Sequence, residues 1–202
     1  MSPLVPMDPG ASLAELLQRA DELSACEARW LYWFRTACNV AQRSLCLKSR
    51  CGAVLVNKPS YVQEGTSPLF GGTLLSVGFN GPPKNDAAYR RCGLTTPSKA
   101  HPKAGRTCCV HAEVRALLSA PRERLVGSTL YFSRVNELGY LQPSGRPWCT
   151  ECSKLALDLG VEKWVLWHAD GPAEYDADHY DWLSNRYDLA LPATEDERGM
   201  SK

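Results

Sequence analysis

Two helix openings decide how this chain reads. The first is His111-Ala112-Glu113-Val114-Arg115-Ala116-Leu117-Leu118-Ser119, and the second is Cys149-Thr150-Glu151-Cys152-Ser153-Lys154-Leu155-Ala156-Leu157-Asp158-Leu159-Gly160. In the first, Val114, Leu117 and Leu118 recur at helical spacing. The second ends at a glycine, the residue most at ease just past a helix C-terminus. Between them lies Ser128-Thr129-Leu130-Tyr131-Phe132-Ser133, and after them Val161-Glu162-Lys163-Trp164-Val165-Leu166-Trp167. Both are short, apolar and rich in aromatic or β-branched residues, as strands are. Working outward toward the N-terminus, Gly52 to Val56 and Gly72 to Phe79 read as two strands of a hairpin. The polar stretch from Asn57 to Leu69 joins them. Residues 11–45 read as helical, with a break near Leu23 to Glu27. Leu13, Leu16, Leu17 and Ala20 lie on one face before the break, and Trp30, Trp33, Phe34 and Cys38 after it. A last amphipathic helix is expected over residues 176–187. Helix, hairpin, helix, strand, helix, strand, helix is the order of a three-layer α/β/α fold with a mixed sheet of about five strands, its last strands joined by right-handed crossovers.

Length and composition limit the rest. A chain of 202 residues holds one domain and can bury a full core. Residues 1–10, with three prolines and a glycine, read as a flexible lead-in; 11–190 as a single domain; and 191–202 as a tail. Lys and Arg number 23 and Asp and Glu 22, a net charge of +1. This lacks the basic excess of most nucleic-acid binders, so a polynucleotide partner is not expected. No apolar run approaches the length of a membrane span. The first ten residues lack the basic and apolar regions of a secretory signal. Nine cysteines without such a signal suit a reducing cytoplasm, where they serve as metal ligands and thiols rather than disulfides.

His111, Cys149 and Cys152 form a donor set. Cys149 and Cys152, three apart, share one face of a first helical turn. Helix N-termini favour thiolates, the form that binds zinc. Three protein donors leave a fourth position for water, the pattern of a catalytic zinc site. Glu113, two residues beyond His111, is placed to move protons rather than to ligate. The rival reading is a closed zinc site that only holds the fold.

H-x-E followed by C-x-x-C is the pattern of zinc-dependent nucleobase deaminases. The chain resembles that superfamily from about Gly52 to Trp167 in both motif and element order. Proline usually precedes the first cysteine directly; here Pro147 stands one place earlier and Trp148 intervenes. The resemblance implies hydrolytic chemistry at C4 of a cytosine ring. Zinc activates water, and Glu113 relays protons to N3 and to the departing amine.

Within the superfamily the chain is most similar to the deoxycytidylate deaminases. Gly78-Phe79-Asn80-Gly81-Pro82-Pro83 looks like their G-Y/F-N-G-x-P turn, which implies that Asn80 contacts the sugar; otherwise Asn80-Gly81 is a plain turn. Some members carry a second, structural zinc. The resemblance places its ligands at Cys46, Cys92, His101 and Cys109, with Cys108 and Cys51 as rivals. Such a metal would clip residues 84–108 to the core. Cys26 and Cys38 follow the apolar pattern and are expected in the core. Phosphate contacts are sought among Lys84, Arg90, Arg91, Arg115 and Arg134, with Arg115 and Arg134 foremost. The family departs here at Arg115, where asparagine is usual, and in the added loop Asn136 to Gly145. The expected reaction is dCMP to dUMP. The alternatives are another cytosine-bearing small molecule (dCTP, a modified dCMP or a nucleoside), single-stranded nucleic acid or tRNA, and a zinc-built interaction module without catalysis. Family likeness also implies a homo-oligomer and a dCTP effector.

Overall fold

The computed structural model describes residues 25–57, 72–91 and 109–186. The lead-in, the first part of the expected N-terminal helix, the side chain of Cys26 and the tail lie outside the described residues. So do Cys92, His101 and Cys108.

Helix α1 (Ala25–Ala41) is followed by strands β1 (Arg50–Asn57) and β2 (Thr73–Phe79). Helix α2 (Ala112–Ser119), β3 (Thr129–Val135), β4 (Leu141–Gln142) and α3 (Thr150–Asp158) come next. The described chain closes with β5 (Lys163–His168), β6 (Gly171–Asp176) and α4 (Ala177–Asn185). The sheet runs β2-β1-β3-β5-β6, with β4 paired to the end of β3. β1 is antiparallel to β2 and β3, while β3 and β5 are parallel. A parallel pair needs a crossover, and α3 is the helix within it.

Side chains alternate across the sheet and so build two cores. Val54, Val56, Tyr131 and Val165 face α1, which covers them with Trp33, Phe34 and Ala37. Trp33 and Phe34 are at most 3% exposed because their helical spacing puts both on the inner stripe. Ala53, Leu55, Leu130, Phe132, Trp164 and Leu166 face the other way. There they meet Ala112, Ala116 and Leu117 of α2, Ala156 of α3 and Tyr180 and Leu183 of α4. Trp164 stacks on Tyr180, with ring centroids 4.0 Å apart. The helices thus flank the sheet on both sides, and the expected three layers are present.

Two glycines set the layer spacing. A Cβ at Gly52 would lie 2.0 Å from the Ala37 carbonyl oxygen, so the missing side chain lets α1 approach the backbone of β1 there. A Cβ at Gly78 would lie 2.1 Å from the carbonyl oxygen of Ala112 and 2.5 Å from the nitrogen of Ala116. α2 therefore lies directly on the backbone of β2.

The sheet has six strands, two of them beyond the sequence reading. β4 is two residues inside the loop read as a polar insertion. That loop is a hairpin on β3, with Asn136 Oδ1 accepting from the amides of Leu138 and Tyr140. β6 was missed because Gly171-Pro172-Ala173-Glu174-Tyr175-Asp176 lacks a buried alternation. It is an edge strand, where proline is tolerated and only Tyr175 is fully buried. No described helix is long and apolar enough to cross a membrane.

Candidate active site

The site forms where β1 begins and β2 and β3 end, under the N-termini of α2 and α3. Ligand sites of α/β sheets favour the carboxyl ends of strands. Just past β2, Gly81 pairs with Val110, their amides donating to each other's carbonyls at 3.1 and 2.8 Å. That bridge delivers His111, which stands at the helix N-cap in extended conformation (φ −69°, ψ 152°). Glu113 follows in the first turn of α2. It is only 5% exposed, although carboxylates are rarely buried without a purpose.

Cys149 is the N-cap of α3, and its Sγ accepts from the Cys152 amide at 3.4 Å. The neighbouring Ser153 hydroxyl donates to Asp181 Oδ1 at 2.6 Å and lies 3.1 Å from Ser184 Oγ. This buried knot anchors α3 on α4, and with it the C-x-x-C turn.

The two helix starts bring their donors to one point. His111 Nδ1 lies 3.3 Å from each of Cys149 Sγ and Cys152 Sγ, which are 3.0 Å apart. Among the described residues this is the one group of three such donors close enough to hold a metal ion. Both thiols are fully buried. The hydrogen bond from Cys152, helped by His111, pulls the Cys149 thiol well below its ordinary range. That same bond and burial push Cys152 up. Interaction with Cys149 raises His111 to about 9. Two buried thiols and a histidine ring thus share one point, a donor set that a borderline-soft cation would satisfy. The residues fit zinc. Burial raises the Glu113 carboxyl to about 7, against the opposing pull of His111.

Other residues singled out in the sequence fall around this centre. Asn80 is buried, its Oδ1 accepting from Ser44 Oγ at 2.7 Å and the Cys51 amide at 2.8 Å. Its Nδ2 donates to the Ser49 carbonyl at 2.8 Å. The amide therefore ties the segment after α1 to the ends of β1 and β2. Ser44 and Ser49 have no sequence signal, since their role exists only once Asn80 arrives. Arg115, sought as a phosphate contact, donates to the carbonyls of Phe79, Gly81 and Pro82 at 3.2, 3.2 and 2.7 Å. Its guanidinium also lies over the Phe79 ring. Arg134 is exposed at the end of β3 and pairs in register with Cys51. The Cys51 thiol, within electrostatic reach of Glu113 and Arg134, is pushed up to about 12 mainly by burial. Lys84 Nζ donates to the Tyr89 hydroxyl, Arg90 to the Leu45 carbonyl and Arg91 to the Ala88 carbonyl. Cys46 and Cys109 are both half-buried, and Cys109 sits just before the Gly81 bridge partner. Cys38 is half-buried on α1, its thiol raised to about 11 by burial.

The chain is 36% identical over 140 residues to the deoxycytidylate deaminase of Mycobacterium phage D29, spanning 66% of this chain and 90% of the phage protein. The chain belongs to the deoxycytidylate deaminase family. It is accordingly a deaminase, and so a hydrolase. It is also 29% identical over 164 residues to a deoxycytidylate deaminase of Schizosaccharomyces pombe, covering 77% of this chain and 42% of the yeast protein. Among solved structures it is similar to the apo dCMP deaminase of cyanophage S-TIM5, with a TM-score of 0.40 and 23% identity over 67% of this chain and 79% of that one. It is also similar to the cytidine deaminase of Mycobacterium tuberculosis, with a TM-score of 0.35 and 17% identity over 71% of this chain and 87% of that one. No family model matches the chain.

Proposed function

We propose that this chain is a zinc-dependent hydrolytic deaminase that converts dCMP to dUMP and ammonia. The observation that carries the reading is the convergence of His111, Cys149 and Cys152 beside the buried carboxyl of Glu113. Zinc held by those three residues would supply a polarised water of lowered pKa. Glu113 does the proton work: it accepts a proton from the attacking water and delivers it to ring N3. It then takes the remaining proton from the new C4 hydroxyl and passes it to the amine, the C4–N bond breaks as the C4 carbonyl forms, and ammonia leaves. A carboxyl near neutrality, as burial makes Glu113, suits both halves of that exchange.

The substrate's other end falls to residues of the rim. Asn80 has one amide hydrogen beyond the bond to Ser49, which can meet the sugar. Arg134, exposed opposite Cys51, is the cation best placed for the phosphate. Arg115 is a positioning residue that fixes the turn carrying Asn80. The second zinc, on Cys46, Cys92, His101 and Cys109, belongs to the same reading. It is supported by family likeness and by Cys109 lying two residues before His111. Family likeness likewise supports a cytoplasmic homo-oligomer that responds to dCTP.

The test is ammonia release from dCMP, with dCTP, deoxycytidine, CMP and a short single-stranded DNA beside it and Glu113→Ala as blank. Selective turnover of dCMP, absent from the blank, is expected. Turnover of another member of the panel in place of dCMP overturns the substrate and keeps the chemistry.

A further inference from the structure

Trp148 is the residue that the site description leaves without a task. It lies between two buried neighbours, Pro147 and the fully buried Cys149. The backbone is extended at Cys149 (φ −89°, ψ 94°), so side chains alternate there and Trp148 turns outward. It is 36% exposed, so part of the indole reaches the surface. Its ring lies 6.0 Å from that of His111, tilted by 42°. The indole is thus a neighbour of the donor cluster, with about a third of the residue open to solvent.

The segment that carries Trp148 is held on both sides. β4 pairs with the end of β3, and the Ser144 amide donates to the Trp167 carbonyl at 2.7 Å. Residues 143–148 thus cross the ends of β3 and β5 before entering α3. The ring is presented from a fixed strap rather than from a free loop. A rigid aromatic with few rotatable bonds loses little entropy when a flat ligand stacks on it.

We propose that Trp148 is a specificity-determining residue that forms an aromatic wall for the pyrimidine ring beside the donor cluster. The inference rests on the proposed deaminase reading and deepens it. A wall of this kind contacts the ring equally before and during reaction. Its loss therefore raises KM and leaves kcat nearly unchanged.

The experiment compares wild type, Trp148→Ala and Trp148→Phe on dCMP, with zinc content measured for each. The expected result is a KM about tenfold or more higher for Trp148→Ala, the range of lost base stacking, at unchanged zinc content and similar kcat. Trp148→Phe recovers most of the loss. Titration with dUMP gives a readout without turnover: it quenches wild-type tryptophan fluorescence more than that of Trp148→Phe. An unchanged KM in Trp148→Ala overturns the inference alone. Equal impairment of both variants with loss of zinc also overturns it, because the residue is then structural. A wild-type protein that releases no ammonia from any cytosine compound overturns the deaminase reading and this inference together.

Discussion

At the scale of single residues, the site separates chemistry from support. Glu113 is the group with no structural reason to be there. A buried carboxyl costs free energy unless its charge is used or neutralised. Replacing it with glutamine keeps the shape and removes the proposed proton relay. The expected outcome is a fall in kcat of about 10²- to 10⁴-fold at unchanged zinc content, read by steady-state kinetics beside metal analysis. Arg115 is the contrasting case. From the sequence it is one of several arginines that could meet a phosphate. In the structure its guanidinium holds three carbonyls of the Phe79–Pro82 turn. Hydrogen bonds to a charged group are stronger than neutral ones, though partial exposure weakens these. Arg115→Ala is expected to destabilise the protein by about 1–3 kcal/mol, which lowers Tm by about 2–4 °C per kcal/mol at this size. Lysine cannot span three carbonyls, so Arg115→Lys recovers little of it. Thermal denaturation of both variants checks this.

At the scale of elements, the donor set was legible because it depends on local spacing. H-x-E and C-x-x-C each lie within a single helical turn, and a helix start fixes their directions. β1, β3 and β5 were legible because their buried residues are apolar on both faces. β4 and β6 were not, since short edge pairings leave no apolar run. Nor could the sequence show that Asn80 is committed to Ser44, Ser49 and Cys51, because those partners lie 29 to 36 residues away. Gly78 connects the two kinds of information. It reads as one more glycine before a turn, yet its missing side chain lets α2 lie on β2. Gly78→Ala pushes α2 outward, and His111 and Glu113 move with it. Overpacking of this kind costs about 1–3 kcal/mol. The expected result is a lower Tm together with a fall in kcat larger than lost stability explains. Activity measured well below Tm separates the two.

At the scale of the whole molecule, the donor set joins parts that are distant in sequence. Cys149 and Cys152 lie 38 and 41 residues beyond His111, on a helix across β3 from α2. An ion that binds only the folded arrangement stabilises it by about 2.7 kcal/mol when present at a hundred times its Kd. Chelation is therefore expected to lower Tm by about 5–10 °C and abolish activity in the same step, with zinc restoring both. The proposed second ion gives the experiment a count. Wild type should hold two zinc ions per chain, and His111→Ala one, without activity. Cys109→Ala should also hold one, keeping its catalytic ion while the clip between residues 84–108 and the core is lost. That variant should therefore lose stability well before it loses turnover at low temperature. A wild-type count of one, unchanged in Cys109→Ala, removes the second site and leaves Cys46 and Cys109 as ordinary half-buried thiols. Because the two ions are distinguished by which variant loses them, metal analysis of three proteins decides between one site and two without reference to substrate.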